Sequence, residues 1–170
     1  MSELSFDVDL GSTGVKVELI DERDSDPLSP GLVADLCKAA RVTLEGEGVE
    51  TGSVDILVVD EATIARLNST HLGHDGPTDV LSFPLDDPSE GSSFGFRPHV
   101  GDIVLCPAIA KTQAADHAGS LEAELHLLVI HAALHLLGHD HSIDADRKRM
   151  QDRERAYMAR FGFEHPGEQS

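Results

Sequence analysis

The chain has 170 residues, 40% of them hydrophobic, which is enough for one domain with a real core and too few to make two. Thirteen Lys and Arg stand against 31 Asp and Glu, a net charge of -18 that repels phosphate backbones at long range and argues against a non-specific duplex binder. No apolar run approaches the roughly 18 residues needed to span a bilayer, and Met1 to Leu10 is acidic rather than a basic segment feeding an apolar stretch, so a cytoplasmic chain away from membranes is expected.

Two short alternations of apolar and polar residues, Phe6 to Leu10 and Val15 to Ile20, open the chain as candidate strands. Glu22 to Gly31 reads as a loop. Ser29 and Pro30 then supply an N-cap and a first-turn proline for a helix in which Leu32, Val33, Leu36, Ala39, Ala40 and Leu44 recur at helical steps, with Gly46 and Gly48 ending it. Ser53 to Asp60 is nearly all apolar and β-branched, as a strand covered on both faces in a mostly parallel sheet would be. Asp60 caps a helix containing Ile64, Leu67 and Asn68. Beyond the turn at His74 to Pro77, Thr78 to Phe83 is a second strand and Gly101 to Cys106 another, with an aperiodic loop, Leu85 to Pro98, expected to be mobile between them. That order suggests a hairpin. Cys37 falls in a helical pattern and Cys106 at the end of a strand, so two reduced thiols are expected rather than a disulfide.

Pro107 opens an alanine-rich helix to about Ala118. Ser120 caps the next, with Glu122 and Glu124 in its first turn, and this helix runs to Leu137, apolar nearly all round, as the central buried helix of the domain. Ile143 to Phe161 is polar and charged and reads as a surface helix, and Glu164 to Ser170 as a frayed end. The expected fold is therefore mixed α+β, with about five helices and a mostly parallel sheet.

Chemistry concentrates at the end of the central helix, where four of the ten histidines fall between positions 131 and 141. His131 and His135, at i and i+4, sit one turn apart and can converge on one metal ion. His139, eight residues beyond His131, would lie about 12 Å along a continuing helix, out of reach of bonds of roughly 2 Å. Gly138 permits the left-handed backbone that ends a helix and lets the chain fold back, bringing His141 to the first two. His131, His135 and His141 are thus the predicted metal ligands, for one zinc per chain. Three nitrogen ligands leave a fourth position for water, as in catalytic zinc sites, and the metal lowers that water's pKa to about 7. The spacing is metzincin-like, but Ala132 stands where a metalloprotease carries its glutamate base, so a peptidase or amidase would need a carboxylate from elsewhere, with Glu124 and Asp79 as candidates. Asp140 is a candidate to fix a ligand tautomer or to cap the following segment. Glu124 is on the same helix face as His131, although its first-turn position also complements the helix dipole.

Thr78 to Pro84 (TDVLSFP), Gly101 to Val104 (GDIV) and His131 to His141 (HAALHLLGHDH), in that order, resemble the YbeY-type endoribonucleases, bacterial rRNA maturation factors. The resemblance spans roughly Ser53 to His141. It implies a four-stranded mostly parallel sheet with one antiparallel strand, zinc on the three histidines, and metal-dependent hydrolysis of single-stranded RNA in maturation of the small-subunit rRNA 3′ end and in ribosome quality control. It implies as partners that rRNA, the small ribosomal subunit, and ribosomal or GTPase proteins, and it places Thr78, Asp79 and Ser82 at the cleft. The chain departs from the family at Ala132, usually glycine, and at His139, usually tyrosine. Where the family often has a cleft arginine, shortly after Asn68, it reads His71-Leu72-Gly73-His74. Candidate substitutes to hold a phosphate are His71 or His74 when protonated, Arg97 from the loop, and Arg147, Lys148 and Arg149 at the rim. The bland reading of the last three is pairing with Asp144, Asp146, Asp152 and Glu154. Phe94 and Phe96 are candidates to stack on unpaired bases. The remaining alternative is non-catalytic: an assembly factor whose zinc only fastens the central helix to the C-terminal segment.

Overall fold

The computed structural model describes residues 14–90 and 97–168. The candidate strand Phe6 to Leu10 and the aromatic residues Phe94 and Phe96 lie outside them. Ser29 caps α1 (Pro30–Gly46) by accepting from the Leu32 N–H, and Asp60 caps α2 (Glu61–Leu72) by accepting from Thr63 at 2.8 Å. Strands β1 (Gly14–Asp21), β2 (Thr51–Val58), β3 (Val80–Pro84) and β4 (His99–Leu105) form one sheet in the order β1-β2-β4-β3. β1, β2 and β4 are parallel, and β3 runs antiparallel to β4, which completes the expected hairpin. Both β3 and β4 are displaced by a residue or two from the expected strands: β3 begins at Val80, because Thr78 and Asp79 form the entry bend, and β4 gains His99 and Val100.

One face of the sheet is covered by α1 and by α4 (Leu121–Leu136), the other, in part, by α2. α4 is buried on nearly every side, as its sequence requires. Leu125, Ile130 and Leu134 are fully enclosed, each contributing about 1.5–3 kcal/mol of burial. α3 (Pro107–Ala114) stops short of the expected Ala118. Residues 115–118 instead form tight turns that bring His117 and the Ala118 N–H to the Glu124 carboxylate.

The C-terminal helix α5 (Asp144–Ala159) is polar outside yet buries Met150, Glu154, Tyr157 and Met158 against α4 and α1. Among the described residues the chain after Glu164 is not frayed: His165 is 5% exposed and bonded to Glu154, and Pro166–Glu168 closes a 3-10 turn. Gly46 likewise does more than stop α1. A Cβ there would overlap the Tyr157 ring, 2.6 Å from Cε1, so only glycine lets α5 lie this close, with the Tyr157 hydroxyl donating to Glu47 at 2.6 Å. Glu47 is the C-cap, and Gly48, just beyond it, takes the left-handed turn with φ +97°.

Two outcomes follow from this packing. Gly46→Ala should lower stability by about 1–3 kcal/mol through overpacking, read as a shift of the denaturation midpoint in urea with an unchanged slope. Burial pushes the Cys37 thiol up to about 11, and Cys106 is raised as well, so neither thiol should react with a disulfide reagent at pH 8 until the protein is unfolded.

Candidate metal centre

α4 ends in the bonding pattern expected of a left-handed glycine terminus. The Gly138 N–H donates to the His135 carbonyl at 3.0 Å and the His139 N–H to the Leu134 carbonyl at 3.1 Å, with Gly138 at φ +91°. The chain therefore turns back over the helix end. His131, His135 and His141 each offer one ring nitrogen, and the three atoms lie within 4.8 Å of one another. The rings of His131 and His135 are edge-on with centroids 4.4 Å apart, and His141 stacks against His131 at 5.7 Å. The predicted ligand set is thus brought together, and His139 is not in it.

Hydrogen bonding fixes which nitrogens face inward. His135 Nδ1 donates to the His139 carbonyl at 2.8 Å, an oxygen that can only accept. His131 Nδ1 donates to Glu154 Oε1 at 2.6 Å. Each ring so held, when neutral, directs a lone pair from Nε2, and the two Nε2 atoms are 3.0 Å apart. Two lone pairs meeting at that distance repel unless a cation shares them, and the spacing suits donors bound at about 2.0–2.1 Å to one ion. Burial and the neighbouring His131 lower the His135 pKa, which favours the neutral imidazole that binds metal. The cluster is capable of holding a metal ion.

Glu154, which the sequence did not single out for this purpose, is 5% exposed. Burial alone would raise its carboxyl, but hydrogen bonds from His131 and from His165 Nε2 (2.7 Å) more than offset this and hold it at about 2. It stays ionised and orients the His131 ring.

The other candidates sort by position. Asp140 accepts from the His141 N–H at 2.7 Å and from the Ser142 hydroxyl at 2.7 Å, so it shapes the turn carrying His141 rather than a ligand tautomer. Glu124 is 0% exposed and saturated by His117 Nδ1 at 2.9 Å and the Ala118 N–H at 3.2 Å. It lines the neighbouring cavity but is not one of the clustered ligands. His71 packs edge-on against Phe83 with centroids 5.3 Å apart, and neither it nor His74 lines the cavity. Arg97 precedes β4 and does not line it either. The His139 ring turns away to donate to Glu47 Oε1 at 2.8 Å.

The cavity, about 470 Å³, lies between the start of β3, α4 and α5, with Asp79, Leu127, Leu128, His131, His141 and Arg147 in its wall. Thr78 and Ser82 do not line it. Arg147 serves both readings of the basic run, since it borders the cavity and also pairs with Asp144 at 3.0 Å. Arg149 pairs with Asp146, as the pairing reading expects, whereas Asp152 pairs instead with Arg155, and Glu154 with His131 and His165.

The sequence model of a family described as Endoribonuclease YbeY matches residues 21–162. A protein named Endoribonuclease YbeY from Salinispora tropica is 38% identical over 144 residues, 80% of this chain and 89% of that protein. One of the same name from Desulfitobacterium hafniense is 38% identical over 147 residues, 85% of this chain and 92% of that protein. The solution structure of TM1509 from Thermotoga maritima is similar with a TM-score of 0.55 and 30% identity, covering 85% of this chain and 86% of that one.

Replacing Glu154 by Gln should weaken zinc binding about 10- to 100-fold while all three histidines remain, measured by competition with a chromophoric chelator. An unchanged affinity would show that the carboxylate does not support the ligand.

Proposed function

The chain belongs to the Endoribonuclease YbeY family, and from that footing and the geometry of its histidine cluster we propose that it is a zinc-dependent, single-strand-specific endoribonuclease. It acts in the cytoplasm on the 3′ end of the small-subunit rRNA and in ribosome quality control. Its partners are the small ribosomal subunit and its ribosomal or GTPase proteins. The observation that carries the metal half of this reading is the 3.0 Å approach of two Nε2 atoms whose Nδ1 protons are both committed elsewhere. The nuclease half rests on the family. No helix among the described residues is long and apolar enough to cross a membrane, which agrees with action on ribosomal RNA.

Zinc held by His131, His135 and His141 would supply Lewis-acid polarisation of the scissile phosphate and an activated water. The chain's own residues do the rest. Glu154 and the His139 carbonyl keep the Nδ1 protons of His131 and His135 in place, so neither ring needs to reorient when substrate arrives. Arg147 presents a guanidinium at the cavity wall, where it can hold a phosphate next to the scissile one. Leu127, Leu128 and Met150 line the same cavity with apolar surface that strengthens those contacts. The acidity of the whole protein sets long-range repulsion, but binding is decided at short range, where zinc on the histidine cluster would join Arg147 in supplying positive charge.

The alternatives have less support. A peptide or amide hydrolase needs a free carboxylate near the metal. Ala132 is buried where the metzincin base would stand, and Glu124 is saturated by His117 and Ala118, leaving Asp79. The non-catalytic assembly factor is separated from the nuclease by experiment.

Cleavage of a single-stranded RNA should disappear in the presence of a chelator and in His135→Ala, and should return in the native chain on adding zinc. Arg147→Ala should raise KM severalfold with little change in kcat, as loss of one partly exposed phosphate contact would. Metal binding without any cleavage would instead assign the zinc a fastening role.

A further inference from the structure

The outer face of the sheet is only half covered. α2 packs over the end that carries Leu57, Val59, Leu81, Val104 and Phe83, and the other half presents Lys16, Glu18, Ser53, Asp55, His99 and Asp102 from β1, β2 and β4. Asp55 pairs directly with Asp102, and Ser53 with His99.

In a regular strand residues three apart point to opposite faces, so His99 and Asp102 should not meet. They do because the β2–β4 register shifts between Ser53 and Val54: Ser53 pairs with His99 but Val54 with Gly101, so β4 holds an extra residue, Val100, and both Val100 and Gly101 are buried. The bulge re-aims the His99 ring onto the face shared by the two aspartates. There His99 Nε2 lies 2.8 Å from Asp102 Oδ1 and 3.7 Å from Asp55 Oδ2, and one ligand atom from each of the three falls within 4.8 Å of the others. The other ring nitrogen, Nδ1, is 2.8 Å from the Ser53 hydroxyl.

We propose that Asp55, His99 and Asp102 form a second divalent-cation site, independent of the α4 cluster, for a borderline first-row cation such as Zn²⁺. Bonds of about 2.0–2.2 Å place neighbouring donors about 3–3.5 Å apart, a span that the two distances from His99 Nε2 bracket. One imidazole and two carboxylates select this class over Ca²⁺ or Mg²⁺, which favour all-oxygen surroundings. Ser53 supplies the outer contact typical of metal-bound histidine. Its hydroxyl accepts Nδ1–H and so commits the Nε2 lone pair to the ion, and without an ion it can reverse its role while Nε2–H donates to Asp102. The electrostatics agree. Burial raises the Asp55 pKa, the Asp102 and Glu18 carboxylates raise it further, and His99 and Lys16 only partly oppose them. A dication would relieve that repulsion and bind the two central strands through their side chains. The donors stand on paired strands of the sheet interior, so the ion's role is to staple β2 to β4 rather than to meet substrate.

The test is a calorimetric titration of Zn²⁺ into the chelator-stripped full chain and into His135→Ala, in which the α4 cluster is disabled. The native chain should take up two equivalents and His135→Ala one. Saturating Zn²⁺ should raise the melting temperature of His135→Ala, and adding Asp102→Asn or Asp55→Asn should abolish both the uptake and the rise. Ser53→Ala on the same background should weaken binding at least tenfold. These near-isosteric changes at half-exposed positions should leave the far-ultraviolet circular dichroism unchanged, which checks the fold. The proposal is overturned if stripped His135→Ala binds no zinc. It is equally overturned if its zinc binding survives both Asp55→Asn and Asp102→Asn, which would mark adventitious binding by other histidines. Failure of the α4 cluster reads differently: the native chain would then bind a single equivalent that His99→Ala removes and His135→Ala does not.

Discussion

A helix enclosed on nearly every side has few places to put polar groups, and α4 carries several. Apart from the exposed Glu122, the polar residues Glu124, His126, His131 and His135 project from a cylinder of leucine, valine, isoleucine and alanine, and an unpaired buried polar group costs about 1–3 kcal/mol. Each is therefore answered by a partner, and the partners dictate much of the surrounding chain. The turns after α3 exist where His117 and Ala118 meet Glu124. His126 donates to the Glu122 carbonyl and leans on Phe161 and Phe163, which pins the chain after α5. Glu154 brings α5 to His131 and, through His165, ties down the segment beyond it. The loop after Gly138 is held by its own carbonyl on His135. Satisfying the buried helix and building a metal cradle are the same act.

That coupling explains how a strongly acidic chain can present a centre suited to a cation and to a phosphate. The acidic residues nearest the cluster are not spare charge. Asp140 is committed to the turn, Glu124 to His117, Glu154 to two imidazoles and Glu47 to His139 and Tyr157. Each of these carboxylates is committed to donors of its own, so none of them is presented as a free acceptor towards a phosphate in the cavity.

The parts of the site legible in the sequence are those governed by local geometry. His131 and His135 share a helix face by arithmetic, and Gly138 announces the reversal that returns His141, so the ligand cluster needed no tertiary information. The parts that were not legible depend on contacts between distant segments. Nothing near Glu154 distinguishes it from the acidic residues around it on α5, and it becomes functional only because α5 packs on α4. His139 stands between two ligands in the sequence, whereas a contact 92 residues away, to Glu47, turns its ring aside. Arg97, His71 and His74 are reasonable substitutes by sequence proximity, but none of them lines the cavity, and α2, which carries His71, lies on the opposite sheet face. Among strands, alternation identifies β1, the apolar run identifies β2 and the strand-loop-strand order identifies the hairpin, but none of these foresees the bulge in β4, since an extra residue leaves no mark on composition. Gly46 was read as a stop signal, and its true reason, the Tyr157 ring, sits on another helix.

The position of Glu154 in the chain also bears on the order in which the protein comes alive during synthesis. A nascent chain that has emerged as far as His141 already possesses all three clustered imidazoles, yet the carboxylate that orients His131, and the His165 that holds that carboxylate, have still to appear. Until α5 docks, the Tyr157 hydroxyl is missing from Glu47 as well, and the His139 turn lacks part of its backing. The residues that orient the centre thus follow, in chain order, the strands and helices that carry its imidazoles. The centre is therefore completed only when the segment from Asp144 to His165 packs against α4, well after its three imidazoles have been joined in the chain.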